Sequence, residues 1–350
     1  MCIRDRHTDD DSTYERMTYR TSSGDFYVGT SPPAGATKLG IYYPRAGTLG
    51  GCAMHNGGIA TLPGNNDWDN IAVATKDDTW RASNMRKYFE ALETCLYCPK
   101  NASGHGFNGF LQISAPSGDW AAIPSDGRKI AVAAAEQLNQ TQDVVQLLNR
   151  DINGNEPNRD QEIGFFTFDS HGTNAGMRSS GAYYVLDTIK EGKYPLTLQL
   201  ESLVTKVLFN NATTGSLPKA IGVEYLQGKS LYSADPRYKA TDKGMLGRAY
   251  ATKEVIVAGG AFNSPQILKL SGIGPAEELK KFNIPVVADL PGVGEHLSDN
   301  YEGGFLSTNP NITGSAGQLM LFLKTAHTNT GNRDIQMWYV LTYRCNQTWH

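Results

Sequence analysis

The stretch that most constrains this chain runs from Ala251 to Asn300. Glu254 to Ala258 is a short β-branched run without alternation, the pattern of a strand buried on both faces of a parallel sheet. Gly259 and Gly260 break it. Asn263 and Ser264 are good helix N-caps, Pro265 suits a first helical position, and Gln266 to Leu270 carries a helix that Gly272 and Gly274 end. A strand, a tight small-residue turn and a helix follow, which is an α/β unit. Such a turn aims unpaired helix N–H groups over the sheet edge and lets a flat or anionic ligand come close where side chains are missing. Many α/β folds hold the same unit with no ligand on it, so it fixes architecture and not chemistry.

With 350 residues and 40% hydrophobic content, the chain can bury a core in one large domain or two smaller ones. A net charge of −3 with 19% charged residues leaves no basic face on the scale that nucleic-acid or membrane binding needs, and neither partner is expected. No apolar run approaches the ~18 residues of a spanning helix, and Met1 to Ser12 is polar, without a signal-peptide core. Asn101, Asn139, Asn211, Asn311 and Asn346 each open an N-glycosylation sequon, which points to a secreted parent. The five cysteines make no disulfide framework for a chain this long. Cys95 and Cys98 form one CxxC with neither a partner pair nor nearby His ligands, so they read as a local disulfide or two ordinary thiols, and no metal site is expected.

Arg45 to Pro63 is dense in glycine and so passes where Cβ atoms would obstruct, under a ring system or along a pyrophosphate; the alternative is a plain surface loop. Within it stands Leu49-Gly50-Gly51-Cys52-Ala53-Met54-His55-Asn56-Gly57. Further on, Gly260 to Gly274 has a small-residue turn, Ser264-Pro265, two aliphatics, then Ser271-Gly272-Ile273-Gly274, and Leu290-Pro291-Gly292-Val293-Gly294 leads to Asp299-Asn300. These three segments resemble, in order, the first signature, the second signature and the Leu-Pro-Gly-Val-Gly segment of the glucose-methanol-choline (GMC) flavin oxidoreductases. Ser170 to Tyr183 resembles the family's Gly-x-Arg-x-Ser…Ala-Tyr segment, a loop entering a helix. The chain departs from the pattern at Cys52 and Ala53, where a small hydroxyl pair is usual, at Gly47, where a basic residue is frequent, and at Asn300, where His is usual.

The resemblance runs from about Asp25 to at least Gly303 and implies an α/β fold: a Rossmann-like, GMC-type FAD-binding domain with a partial α+β substrate domain built on an antiparallel sheet. The expected boundaries are 14–100 and 165–305 for the FAD-binding portion and 101–164 and 306–350 for the substrate side. The implied cofactor is FAD, held by Gly50, Gly51, Cys52, His55, Asn56, Gly57 and Ile59, with Val204 at the adenine. In some branches of the family a His placed like His55 is bonded covalently to the flavin; the alternative is a His beside a non-covalent flavin. The implied reaction is alcohol oxidation, with hydride passing from the CH–OH carbon of a small-molecule alcohol to flavin N5, and oxygen or another acceptor taking the electrons.

No GxGxxG unit precedes Asp25, and the family's catalytic His with its His or Asn partner is expected beyond His350, so the chain reads as an internal fragment and no catalytic residue is assigned. The rival reading is a non-catalytic remnant that keeps the fold as a binding module. A hydrolase is not supported, because no GxSxG elbow occurs.

Other segments are read from pattern alone. Residues 14–45 are extended and loop-rich. Trp80 to Thr94 places Met85, Tyr88, Phe89 and Leu92 at helical spacing, an amphipathic helix facing a core. Gly104 to Gly109 spells GxGxxG, but a strand follows rather than precedes it, so the dinucleotide context fails. Gly222 to Ser230 misses P-loop spacing by one residue. Arg128 to Leu148 reads as two helical segments, and Leu196–Phe209, Lys219–Leu226 and Ile335–Tyr343 as strand-like, while Gln318–Leu323 ends a stretch rich in Gly, Ser, Thr and Asn. His171 is either a substrate-side residue or a hydrogen-bonded loop histidine.

Overall fold

The structure is a computed structural model that describes residues 17–43, 45–115, 123–140, 143–210, 217–298, 318–328 and 330–340. Contacts divide the chain into two compact units, one of residues 52–191 with 304–350 and one of 2–51 with 192–303. These breaks lie elsewhere than the boundaries expected from the sequence.

The unit of 52–191 and 304–350 is organised on an antiparallel sheet with strand order Ile335–Val340, Gln318–Leu323, Gly164–Phe166. Alternation along the central strand sends Leu319 and Leu321 to one face and Met320 and Phe322 to the other, and all four are buried. The first face packs on Ala131, Ala135, Leu147 and Leu148, carried by the helices Ser125–Gln137 and Val144–Leu148. Ala131 and Ala135 stand one helical turn apart, so the helix lies close to the sheet. Ile152, Phe166 and Phe168 cover the second face. A smaller sheet has the order Glu93–Cys95, Leu111–Ser114, Ser170–His171, the first pair parallel and the second antiparallel. The helix Ala82–Leu92 forms where the period placed it, yet none of its residues is buried and Tyr88 is 60% exposed. It packs on the helix Asn65–Thr75, with Phe89 against Trp68 at 5.9 Å between ring centres, and not on the core.

In the unit of 2–51 and 192–303, Phe26–Gly29, Met17–Arg20 and Thr37–Ile41 form a three-stranded antiparallel sheet where the sequence led only to an extended approach. A second antiparallel sheet has the order Met245–Tyr250, Ala220–Gln227, Ser202–Phe209. Glu224 on its central strand pairs with Lys206 at 3.1 Å and Arg248 at 2.9 Å, tying the three strands together.

The strand expected at Glu254–Ala258 is not formed. No strand is assigned there: Ile256 is 79% exposed and no strand pairs with it among the described residues. β-structure is a ladder between two segments, and the parallel pairs among the described residues are Glu93–Cys95 with Leu111–Ser114 and Ile273–Gly274 with Ala288–Asp289. The helix after it starts earlier than expected and spans Gly260–Leu270, with Pro265 inside it. Ser264 acts from within the helix instead, its Oγ accepting the Gly259 N–H at 2.9 Å. No described helix is long and apolar enough to cross a membrane. Asp299, Asn300, Cys2, Cys345 and the sequons at Asn211, Asn311 and Asn346 lie outside the described residues.

Candidate functional site

The glycine-dense loop turns where Gly51 N–H donates to Thr48 O at 3.0 Å. Gly50 and Gly51 sit at φ +85° and +57°, the left-handed region in which a side chain is strained. A short 3₁₀ turn, Gly51–Met54, follows, and the N–H groups of His55 and Asn56 both donate to Cys52 O, at 3.1 and 2.9 Å. Cys52, Ala53, His55 and Gly57 are exposed, and a methyl group at Gly47 or Gly51 would meet nothing within 4 Å. The loop therefore presents an open, side-chain-poor surface.

Its downstream arm is fixed from behind. Asn56 Oδ1 accepts from Gly58 N–H at 3.1 Å and from Arg178 Nη1 at 2.5 Å, while Arg178 also donates to Asn56 O at 2.7 Å and Ala53 O at 3.0 Å. His171 donates from Nδ1 to Ser179 O at 2.8 Å; a carbonyl can only accept, so this bond sets the tautomer and leaves Nε2 an acceptor, 3.5 Å from Arg178 Nη1. His171 is thus the hydrogen-bonded loop histidine of the two readings. Beyond Asn56, Ile59 bridges Ser170, Asn153 holds Ala60 O and Leu62 N–H at 2.8 Å each, and the buried Arg159 holds Leu62 O at 2.6 Å and Pro63 O at 2.9 Å. These charge-assisted bonds from a buried guanidinium hold the arm in place.

Of the residues singled out from the sequence, Cys52, His55, Asn56, Gly57 and Ile59 belong to the unit of 52–191, and Gly50, Gly51 and Val204 to the other. Asn56 is half-buried; the His55 imidazole is exposed and has no hydrogen-bonding or ionic partner among the described residues. Val204, expected to be a buried strand residue, is half-buried in Ser202–Phe209, beside a bulge between Val204 and Lys206.

Sequence reasoning missed a buried polar cluster. His105, in the segment set aside as a dinucleotide decoy, has its side chain 1% exposed between Glu93 Oε2, 3.1 Å from Nδ1, and Asp151 Oδ2, 2.7 Å from Nε2. Tyr97 Oη lies 2.7 Å from Asp169 Oδ2 and 3.0 Å from Asp151 Oδ1, and Asn153 donates to Asp169 Oδ2 at 2.9 Å. Burial alone would lower the His105 pKa, but hydrogen bonds and charge from Asp151 and Glu93 outweigh it and raise it to about 9. Burial raises the Asp169 carboxyl to about 7 against hydrogen bonds from Thr167 and Tyr97 that lower it. Burial pushes Asp151 up, but the hydrogen bond and charge of His105 together with hydrogen bonds from Asn153 and Tyr97 outweigh it and hold it below its ordinary value. The Tyr97 phenol is pushed up, first by burial and then by the charges of Asp169 and Asp151.

Cys95 and Cys98 form a disulfide, one of the two states expected of them. The other half of that reading is corrected, because the fold brings His105 to the pair: both sulfurs and a His105 ring nitrogen lie within 4.8 Å of one another. The signal was a His seven positions after Cys98; what concealed it is that the approach depends on glycine. A Cβ on Gly106 would fall 1.7 Å from Glu90 O and one on Gly109 2.1 Å from Leu92 O, so these glycines let the turn close on the end of the helix Ala82–Leu92.

A family model described as GMC oxidoreductase matches residues 26–302, more than half of the chain. Among curated proteins, the oxygen-dependent choline dehydrogenase of Pseudomonas fluorescens (strain SBW25) is 34% identical over 259 residues, covering 74% of this chain and 39% of that protein. The chain thus spans well under half the length of this relative. Among solved structures, an FAD-dependent oxidoreductase from Chaetomium thermophilum is similar with a TM-score of 0.55 and 23% identity, over 82% of this chain and 45% of that one. The pyridoxine 4-oxidase from Mesorbium loti is similar with a TM-score of 0.53 and 17% identity, over 80% of this chain and 45% of that one. At these identities the two likenesses show the fold.

Proposed function

The chain belongs to the GMC oxidoreductase family, and from that premise we propose that it serves an FAD-dependent alcohol oxidase or dehydrogenase acting on the CH–OH group of a small molecule. The observation that carries this reading is the loop Gly50–Ile59, open on one face and pinned through Asn56 on the other. Its residues fit a flat ring system: a Cβ at Gly51 would meet nothing within 4 Å, and the Asn56 side chain is already oriented by Arg178. Gly50, Gly51, Cys52, His55, Asn56, Gly57 and Ile59 are the residues assigned to hold the flavin, and Val204 the adenine. Bound there, FAD supplies the acceptor for a hydride from the alcohol carbon, and oxygen or a second acceptor takes the electrons.

What the chain's own residues contribute is pre-organisation. Arg178 fixes the Asn56 side chain before any ligand arrives, so little ordering cost remains on binding. His55, exposed and with an imidazole that has no partner among the described residues, is available as an attachment point for a covalent flavin, the finer reading we also propose.

The test is the visible absorption of the purified chain after incubation with FAD, repeated on acid-precipitated, washed protein, with His55→Ala as control. Yellow colour that stays with the wild-type pellet and leaves with His55→Ala supports the covalent form. Colour released to the supernatant keeps the function and removes the bond. A folded chain that stays colourless overturns the proposal and leaves the non-catalytic reading.

A further inference from the structure

The Cys95–Cys98 pair is placed as a metal-binding pair would be. Cys95 closes the strand Glu93–Cys95 and is buried, Cys98 is half-buried, and Cys98 N–H donates to Cys95 Sγ at 3.1 Å, a bond that also stabilises a thiolate. His105 is held against the pair by backbone: Cys95 N–H donates to Gly106 O at 2.8 Å, and Gly106 N–H to Glu93 Oε2 at 2.9 Å. Sulfurs about 2.3 Å and imidazole nitrogens about 2.0 Å from a tetrahedral zinc lie roughly 3.5 to 3.8 Å from one another. The three donor groups already lie within 4.8 Å, so side-chain rotations suffice once the S–S bond opens.

We propose that Cys95, Cys98 and His105 form a thiol-gated site for a soft divalent cation of the zinc class, closed by the Cys95–Cys98 disulfide and opened by its two-electron reduction. The reductant is a dithiol. Its thiolate attacks the half-buried Cys98 sulfur, Cys95 leaves as thiolate, and the second external thiol resolves the mixed disulfide. The external dithiol is oxidised to its own disulfide and the protein keeps two thiols. Metal binding then releases to water the two thiol protons and the proton on the His105 nitrogen that turns to the metal.

The surroundings suit a cation. Glu93 and Asp151 flank the imidazole, one on each nitrogen. When one nitrogen turns to the metal, the other keeps its carboxylate, the arrangement that orients metal-bound histidines, and the displaced carboxylate or a water completes four-coordination. Closing a loop of three-residue separation constrains the unfolded chain little, and the β-pairing of Glu93–Cys95 with Leu111–Ser114 does not involve the sulfurs, so reduction leaves the scaffold standing.

The experiment compares the full chain in its disulfide form with the same chain reduced by a phosphine and desalted, titrated with Co²⁺ and then displaced by Zn²⁺. The expected result is one Co²⁺ per reduced chain, thiolate-to-cobalt charge-transfer bands in the near ultraviolet, and affinity at least about 100-fold above the disulfide form. Cys98→Ser abolishes those bands, and His105→Gln weakens binding more than about tenfold, with far-ultraviolet circular dichroism showing both variants folded. The proposal is overturned if the two redox forms take up cobalt equally, if the reduced form lacks thiolate bands, if Cys98→Ser binds as well as wild type, or if reduction unfolds the chain. Because the readout involves no flavin, the outcome is independent of the proposed function.

Discussion

Replacing Arg178 with Lys asks whether one guanidinium holds the candidate flavin loop. Arg178 reaches Asn56 O, Asn56 Oδ1 and Ala53 O at once, at 2.7, 2.5 and 3.0 Å, which needs the planar fork that a single ammonium lacks. Lysine keeps the charge and can restore one of the three bonds. Two bonds are lost, at about 1 kcal/mol each net for half-buried groups, so local opening of the 53–58 segment becomes easier by about 2 kcal/mol. That corresponds to roughly 30-fold faster amide exchange in a peptide covering this segment, where Gly58 N–H is protected by Asn56 Oδ1. Global stability in urea should move by less than about 0.5 kcal/mol, because the sheet core around Phe165 and Leu321 does not touch the guanidinium. The assay is hydrogen exchange read by mass spectrometry beside urea unfolding of both proteins. Unchanged exchange at 53–58 would refute the pinning argument. So would a loss spread over the whole chain, since the anchor would then belong to the core.

Two further outcomes follow from the buried cluster and the close turn. His105, raised to about 9 against ~6.5 when unfolded, contributes stability that is fully present below pH ~6.5 and is lost as pH rises through 9, about 3 kcal/mol in all. Asp169, raised to about 7, has the same sign: its contribution is present below pH ~4 and lost as pH rises through 7, whereas Asp151, held low, weakens the fold only as the solution becomes acid. Urea unfolding of the disulfide form from pH 4 to 9.5 should therefore show falling stability, and Asp169→Asn should flatten the part below pH 7; a level wild-type profile contradicts the assignment. Gly106→Ala forces a Cβ to 1.7 Å from Glu90 O, backbone that cannot rotate aside, so the variant should lose roughly 3 kcal/mol or fail to fold, while Gly292→Ala, where a Cβ meets nothing within 4 Å, should stay within about 1 kcal/mol of wild type in thermal unfolding.

What was legible in the sequence was whatever a single element decides for itself. The apolar run Leu319–Leu323 has no period to separate strand from helix, but it does mark a segment buried on both sides, as Leu319 with Leu321 and Met320 with Phe322 are. The Gly50-Gly51 pair reads as a turn that excludes side chains, because positive φ is written into the residue type. Glu254–Ala258 marks the limit of this. Its residues have every local preference for a strand, but a ladder needs a second segment, and Ile256 stays 79% exposed where none is paired.

The buried cluster was hidden for a related reason. His105 meets Asp151 across 46 positions, and Asn56 meets Arg178 across 122. None of these four residues carries a periodic signal; each is a polar residue in an irregular segment. For His105 the meeting depends on a glycine whose missing Cβ permits contact, Gly106 against the end of the helix Ala82–Leu92. A glycine-rich string therefore has two physical meanings, an open face toward a ligand or a close approach of backbone to backbone. Around Gly51 an added Cβ would enter open space, and around Gly106 it would enter Glu90, so two strings that look alike in sequence differ in what they can bind.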